Sequence, residues 1–119
     1  MSSTVELTAE NFEETLASND IVLIDFWAEW CGPCKMFGPV FEAAAAEHPE
    51  IVFGKVDTEA QQQIAGAFNV MSIPTIMAVR DKTIVFSQAG ALPAPALADL
   101  IGQLKALDMD EVRKQVTAE

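Results

Sequence analysis

The chain has 119 residues, half of them apolar, with 18 acidic against 7 basic side chains and a net charge of −11. This is the make-up of one ordinary globular domain, long enough to bury about two-thirds of its unfolded surface. No apolar run approaches the ~18 residues of a membrane span, and an acidic surface repels phosphate backbones and anionic lipid, so neither membrane nor nucleic acid is an expected partner.

Met1 to Glu10 contains no basic segment followed by an apolar one. The expectation is therefore a cytoplasmic chain that stays where it is made. The acids are spread along the sequence without a tract of five or six like charges. That spacing reads as solubility, with a basic docking partner as the sharper alternative.

Strand and helix signals alternate with no linker, repeat or low-complexity block. Thr4 to Leu7 is a short alternating segment. Thr8 is positioned to cap a helix to about Ala17, with Phe12 and Leu16 one turn apart on its inner face. Ile21 to Trp27 is nearly all apolar and rich in β-branched and aromatic residues, the composition of a strand buried on both faces. Asp25 interrupts that run.

Gly32 to about His48 reads as a long helix ended by Pro49, with Pro39 inside it as an expected kink. Ile51 to Asp57 is a second buried strand. A helix is expected from Glu59 to Phe68, with Ile64 and Phe68 facing inward. Thr75 to Arg80 and Ile84 to Ala89 flank a short polar turn at Asp81 and Lys82, the spacing of an antiparallel hairpin. The last long helix starts near Pro95 and carries an apolar stripe of Leu97, Leu100, Ile101, Leu104 and Leu107. Asp108 with Glu111 resembles a capping box, so residues 108–119 read as a short C-terminal extension, packed through Met109, Val112 and Val116. The whole is one α/β domain over residues 1–119, a mixed sheet covered by helices.

Cys31 and Cys34 are the only cysteines. A bare C-x-x-C is compatible with a redox pair, half a zinc site or coincidence. As a staple it is weak: closing so short a loop contributes only ~2 kcal/mol. A structural zinc needs about four ligands. The single histidine, His48, lies fourteen residues beyond Cys34, roughly 20 Å along one helix. Only a carboxylate-completed zinc site is left, and no metal is expected. His48 reads as a solvated residue at a helix C-terminus.

Position argues for redox chemistry. Cys31 follows a buried strand and opens a helix, where unpaired N–H groups and the helix dipole favour thiolate over thiol. Thiolate is the attacking species in disulfide exchange. Cys34 lies in the first turn, near enough to close a ring with Cys31. Pro33 costs little in a first turn, and Gly32 permits close approach of another chain.

Trp30-Cys31-Gly32-Pro33-Cys34, preceded by Asp25-Phe26-Trp27-Ala28 and followed by Lys35 and Pro39, resembles the active-site segment of thioredoxins. Ile73-Pro74-Thr75 and Gly90-Ala91 match two further family segments, and the resemblance covers roughly residues 5 to 107. It implies a thioredoxin fold with a central mixed five-stranded sheet flanked by helices. It implies a protein-disulfide reductase without a bound cofactor, recycled by an NADPH-dependent thioredoxin reductase, acting on disulfide-containing proteins as a monomer.

The resemblance also assigns roles. Cys31 matches the exposed nucleophile and Cys34 the buried resolving thiol. Asp25 matches the carboxylate that helps deprotonate the resolver, and Lys55 the lysine beside it. Pro74 matches a cis-proline facing the disulfide. Trp30, Gly32, Pro33 and Met71 would contact the protein substrate, together with Ile73, Pro74 and Gly90.

Simpler readings stand beside these. Asp25 could be a structural acid, although a charge inside a buried run needs a partner or a raised pKa. Lys55 reads equally well as a snorkelling lysine. Trp27 reads as core packing rather than contact surface, and Met71 and Ile73 could also belong to the core, although a loop location favours contact. The family often has Asn-Gly where Asp81-Lys82 stands, which leaves the turn type open. Two rival functions share the fold: an oxidase or isomerase, and a binding module or chaperone with incidental thiols. Gly32-Pro33 points to the reducing members, and the intact cysteines, Asp25 and Pro74 point away from a pure binding role.

Overall fold

The computed structural model describes residues 3–117. Five strands form one sheet in the order β1-β3-β2-β4-β5. They are β1 (Val5–Glu6), β2 (Ile21–Trp27), β3 (Val52–Asp57), β4 (Thr75–Arg80) and β5 (Thr83–Ala89). The first three run parallel, while β4 is antiparallel to both β2 and β5. Five helices connect or follow them: α1 (Phe12–Ser18), α2 (Gly32–Glu47), α3 (Gln62–Ala67), α4 (Ala94–Ala106) and α5 (Met109–Thr117).

The period-two alternation of β2 divides the core. Ile21 and Leu23 face one layer, where they pack with Phe37 and Phe41 of α2, Phe53 of β3 and the Leu97, Leu100, Ile101 and Leu104 stripe of α4. Val22, Ile24 and Phe26 face the other, with Phe12 of α1, Val56 of β3 and Ile64 before the end of α3. Both faces are therefore sealed by helices, which is why β2 reads as a continuous apolar run. The rings of Phe37, Phe41 and Phe53 form a chain of tilted and edge contacts, with centroids 5.8 and 5.2 Å apart.

Several expected boundaries move. The first helix begins at Phe12 rather than after Thr8, because residues 8–11 close a turn of their own. The Asn11 side chain accepts the Thr8 N–H at 2.8 Å, and the Thr8 carbonyl accepts the N–H of Phe12 at 2.9 Å. The third helix is shorter than expected, because Asp57 accepts the N–H groups of Glu59 and Ala60 and holds them in a turn. The long helix runs through Pro39 and ends at Glu47. Asp81 and Lys82 both adopt positive φ, 51° and 64°, so the hairpin turn is type I′ without the usual Asn-Gly.

The C-terminal extension is a helix. Asp108 accepts the N–H groups of Asp110 and Glu111 at 3.0 and 3.3 Å, the backbone half of the expected capping box. Met109 and Val112 are half-buried, while the side chain of Val116 lies outside the described residues. Arg80, at the end of β4, supplies a contact that pattern alone did not suggest. Its guanidinium donates to the carbonyls of Leu104 and Leu107 at 2.6 and 2.9 Å and so closes the C-terminal end of α4.

Candidate active site

The cysteines sit where β2 hands the chain to α2. Cys31 is the N-cap of α2, with extended backbone angles of φ −89° and ψ 110°, and Pro33 occupies the first turn. The Cys31 sulfur accepts the N–H of Cys34 at 3.2 Å. A cap position normally filled by Ser, Thr or Asp is here filled by sulfur, whose negative charge would meet the open N–H groups of the first turn. The two sulfurs are joined as a disulfide, with Cα atoms 5.2 Å apart.

Cys31 was expected to be the more exposed of the pair. In the disulfide form both residues are 4% exposed. The reason is tertiary: Ile73 and Trp27 pack over a small cluster of Ala28, Cys31 and Cys34, and the Ile73 carbonyl oxygen lies 3.7 Å from the Cys31 sulfur.

Three distant segments meet at this point. The Ile73–Pro74 bond is cis, and Pro74 is buried beside the cysteine cluster's Ile73. The Pro74 carbonyl accepts the N–H of Gly90 at 2.8 Å. Gly90 has φ 104°, a conformation that a side chain would strain, and no atom within 4 Å of where a Cβ would stand. The strand β5 thus ends against the Pro74 loop.

Outside the disulfide, Trp30 and Met71 stand clear of the surface at 69% and 92% exposure. With Ile73 they line an open groove, whose other walls are Thr58, Val70 and Ser72. Gly32 and Pro33 are exposed where the chain turns into α2. The sequence reading missed Thr58, Val70 and Ser72. Thr58 follows β3 and is tied to β2 through the Trp27 carbonyl, at 2.9 Å from its N–H, and only the parallel pairing of those strands could have drawn attention to it.

Asp25, within β2, is fully buried. It shares the face of β2 that carries Leu23, the face covered by α2, and it pairs in register with Lys55 of β3. Burial pushes its carboxyl up from 3.8 to about 6, with the Lys55 ammonium pulling in the opposite direction. Neither carboxyl oxygen has a hydrogen-bond partner among the described residues. Lys55 is half-buried, and its ammonium lies 4.8 Å above the ring of Trp27.

His48 takes no part. It caps the far end of α2 and contacts Glu50 and Lys105, and the Lys105 ammonium holds the Glu50 carboxyl down at about 2. Among the described residues no group of three or more His, Cys, Asp or Glu side chains could hold a metal.

The sequence profile of thioredoxins matches residues 3–103. The chain belongs to the thioredoxin family. A Streptomyces coelicolor protein named as a thioredoxin 2 is 66% identical over 116 residues, covering 98% of this chain and 87% of its own length. A Haemophilus influenzae thioredoxin is 38% identical over 105 residues, covering 87% of this chain and 98% of its own. Among solved structures, a thioredoxin variant from Halobacterium salinarum superposes with a TM-score of 0.82 at 32% identity, covering 90% of this chain and 96% of its own. Malassezia sympodialis thioredoxin gives 0.79 at 33%, covering 89% and 94%. The five-stranded mixed sheet is the thioredoxin fold. With Cys31 and Cys34 at disulfide distance, the chain is a dithiol thiol–disulfide oxidoreductase that reduces protein disulfides.

Proposed function

We propose that Cys31 is the attacking sulfur and Cys34 the resolving one. The observation that carries this is the cap geometry: the Cys31 sulfur faces the Cys34 N–H at 3.2 Å, where a thiolate is stabilised by the start of α2. Reduced Cys31 attacks a client disulfide, forms a mixed disulfide, and expels one client thiolate, which takes up a proton. Cys34 then gives its proton to Asp25, directly or through water, and attacks the Cys31 sulfur. The second client thiolate leaves, and the chain ends as the Cys31–Cys34 disulfide. Proximity makes the second step effectively unimolecular.

Asp25 serves as the base of that step. A buried carboxyl with a pKa of about 6 is mostly ionised at pH 7 yet far more basic than an exposed aspartate. Lys55, paired with it in register, keeps its charged form accessible. Trp30, Met71 and Ile73 receive the client, with Gly32, Pro33 and Gly90 leaving room for its backbone. Ile73 and Pro74 lie outside every strand, which leaves the Ile73 backbone open to an extended client segment.

The family implies thioredoxin reductase as the source of electrons and disulfide proteins as clients. In the working cycle an NADPH-dependent flavoprotein reduces Cys31–Cys34 in the cytoplasm, and the chain acts as a monomer of one domain with α5 as an appended helix. No described helix is long and apolar enough to cross a membrane.

Trapping tests the assignment. Cys34→Ser should accumulate stable mixed disulfides with an oxidised client protein, and Cys31→Ser should form none, both read by mass spectrometry. Trapping by Cys31→Ser, or none by Cys34→Ser, would reverse or remove the roles.

A further inference from the structure

Of the large apolar side chains that stand exposed, three flank the cysteines in sequence or space: Trp30, Met36 and Met71. Met36 follows Cys34 by two residues on α2 and is not part of the groove, whereas Met71 lines it beside Trp30 and Ile73. Met71 is 92% exposed, against 78% for Met36 and 2% for Met77. A thioether this open reacts with hydroperoxides, while one in a sealed core does not.

The dithiol and the thioether respond differently to the same oxidant. Closed as a disulfide, Cys31 and Cys34 have no thiolate for a peroxide to attack. Met71 has no such protection. Its sulfur lone pair attacks one peroxide oxygen, an S–O bond forms and the O–O bond breaks. Two electrons pass from sulfur to the peroxide, whose other oxygen leaves with a proton as water or an alcohol. The product is a polar, chiral sulfoxide at the rim of an apolar groove, and it is reducible by methionine sulfoxide reductases.

We propose that Met71 is a peroxide-modified site whose sulfoxide weakens client docking while leaving the Cys31–Cys34 couple intact. The inference rests on the docking role given to Met71 above. An apolar client segment that meets Trp30, Met71 and Ile73 loses one flexible apolar contact and must desolvate a strong dipole instead. The Cys31 and Cys34 sulfurs are unmodified, so the loss falls on binding.

The test uses the disulfide form in a Met36→Leu background, so that of the two strongly exposed methionines among the described residues only Met71 reports. After exposure to hydrogen peroxide, peptide mapping should show oxygen added at Met71 at least about tenfold faster than at Met77. With the peroxide removed and dithiothreitol supplied to reduce Cys31–Cys34 in each turnover, reduction of an oxidised protein client should then show KM raised about five- to tenfold with kcat unchanged. Met71→Leu should remove the peroxide effect, each preparation being compared with its own untreated form. Met71→Gln, without peroxide, separates the two claims. If Gln leaves KM unchanged, the docking role of Met71 is wrong. If Gln raises KM but peroxide modifies Met71 no faster than Met77, the docking role stands and the modification site is overturned. A sulfoxide at Met71 that leaves KM unchanged also overturns the proposal.

Discussion

Asp25 and Lys55 face each other in register on β2 and β3, yet the Asp25 carboxyl makes no hydrogen bond among the described residues and lies completely buried. The ammonium has turned to the Trp27 ring, 4.8 Å from its centroid. A charge pair that is adjacent but not joined leaves the acid partly uncompensated, and that has measurable consequences.

The first is a pH-dependent stability. The folded pKa of Asp25 is raised from 3.8 to about 6, so the folded chain holds a proton that the unfolded chain has already lost. Stability from this group is complete below about pH 4 and declines as pH rises to about 6, by about 3 kcal/mol in all. Asp25→Asn should therefore stabilise the oxidised protein by roughly 2–3 kcal/mol at pH 7 and by little at pH 3.5. Urea unfolding of both proteins at the two pH values checks it. A gain of equal size at both would point to packing rather than ionisation.

Lys55 is the counterweight. Its charge lowers the pKa of Asp25 against the larger effect of burial. Lys55→Met keeps the apolar stem and removes the charge, so Asp25 should titrate above about 6. Carbon-13 NMR of the Asp25 carboxyl across pH 4 to 9 reads the shift directly. An unchanged midpoint would mean that the two side chains do not interact.

Arg80 joins the sheet to α4 by donating to the Leu104 and Leu107 carbonyls. Arg80→Ala leaves those carbonyls open at a helix end and should cost about 1–3 kcal/mol, seen as a lower midpoint in chemical unfolding. The cysteines lie at the start of α2, whereas it is His48, at the other end of that helix, that meets Lys105 beside this closure. Client reduction at temperatures well below unfolding should therefore be unaffected.

Lys82 adopts φ 64° in a type I′ turn. A side chain in the left-handed region costs about 1–2 kcal/mol, and Gly avoids it at an entropic cost of about 0.5–1. Lys82→Gly should thus gain about 0.5 kcal/mol, with thermal unfolding as the measure. A loss would mean that the Lys82 side chain makes a contact worth more than the strain.

Gly54 is constrained by its neighbour rather than by its backbone. A Cβ there would overlap the buried side chain of Leu7, which follows β1. Gly54→Ala should push β1 away from β3 and destabilise by about 1–3 kcal/mol. Faster hydrogen exchange at Leu7, whose N–H donates to the Lys55 carbonyl at 2.8 Å, would locate the damage.

The chemistry of this protein is written locally in its sequence. The limits of β2 at Ile21 and Trp27, the cysteine pair at the start of a helix, and the misplaced acid at Asp25 all follow from residues within one element, where period-two alternation and helix capping act over a few positions. What surrounds that chemistry was decided by tertiary contacts. Ile73 reaches Cys31 across 42 residues of chain, and Gly90 reaches Pro74 only because β5 folds back antiparallel on β4. The equal burial of the two cysteines, the Arg80 closure of α4 and the groove between Thr58 and Met71 likewise depend on segments brought together by strand pairing. No local pattern encodes such meetings, since it is the sheet order that places these backbone carbonyls and loop side chains, far apart in the chain, side by side.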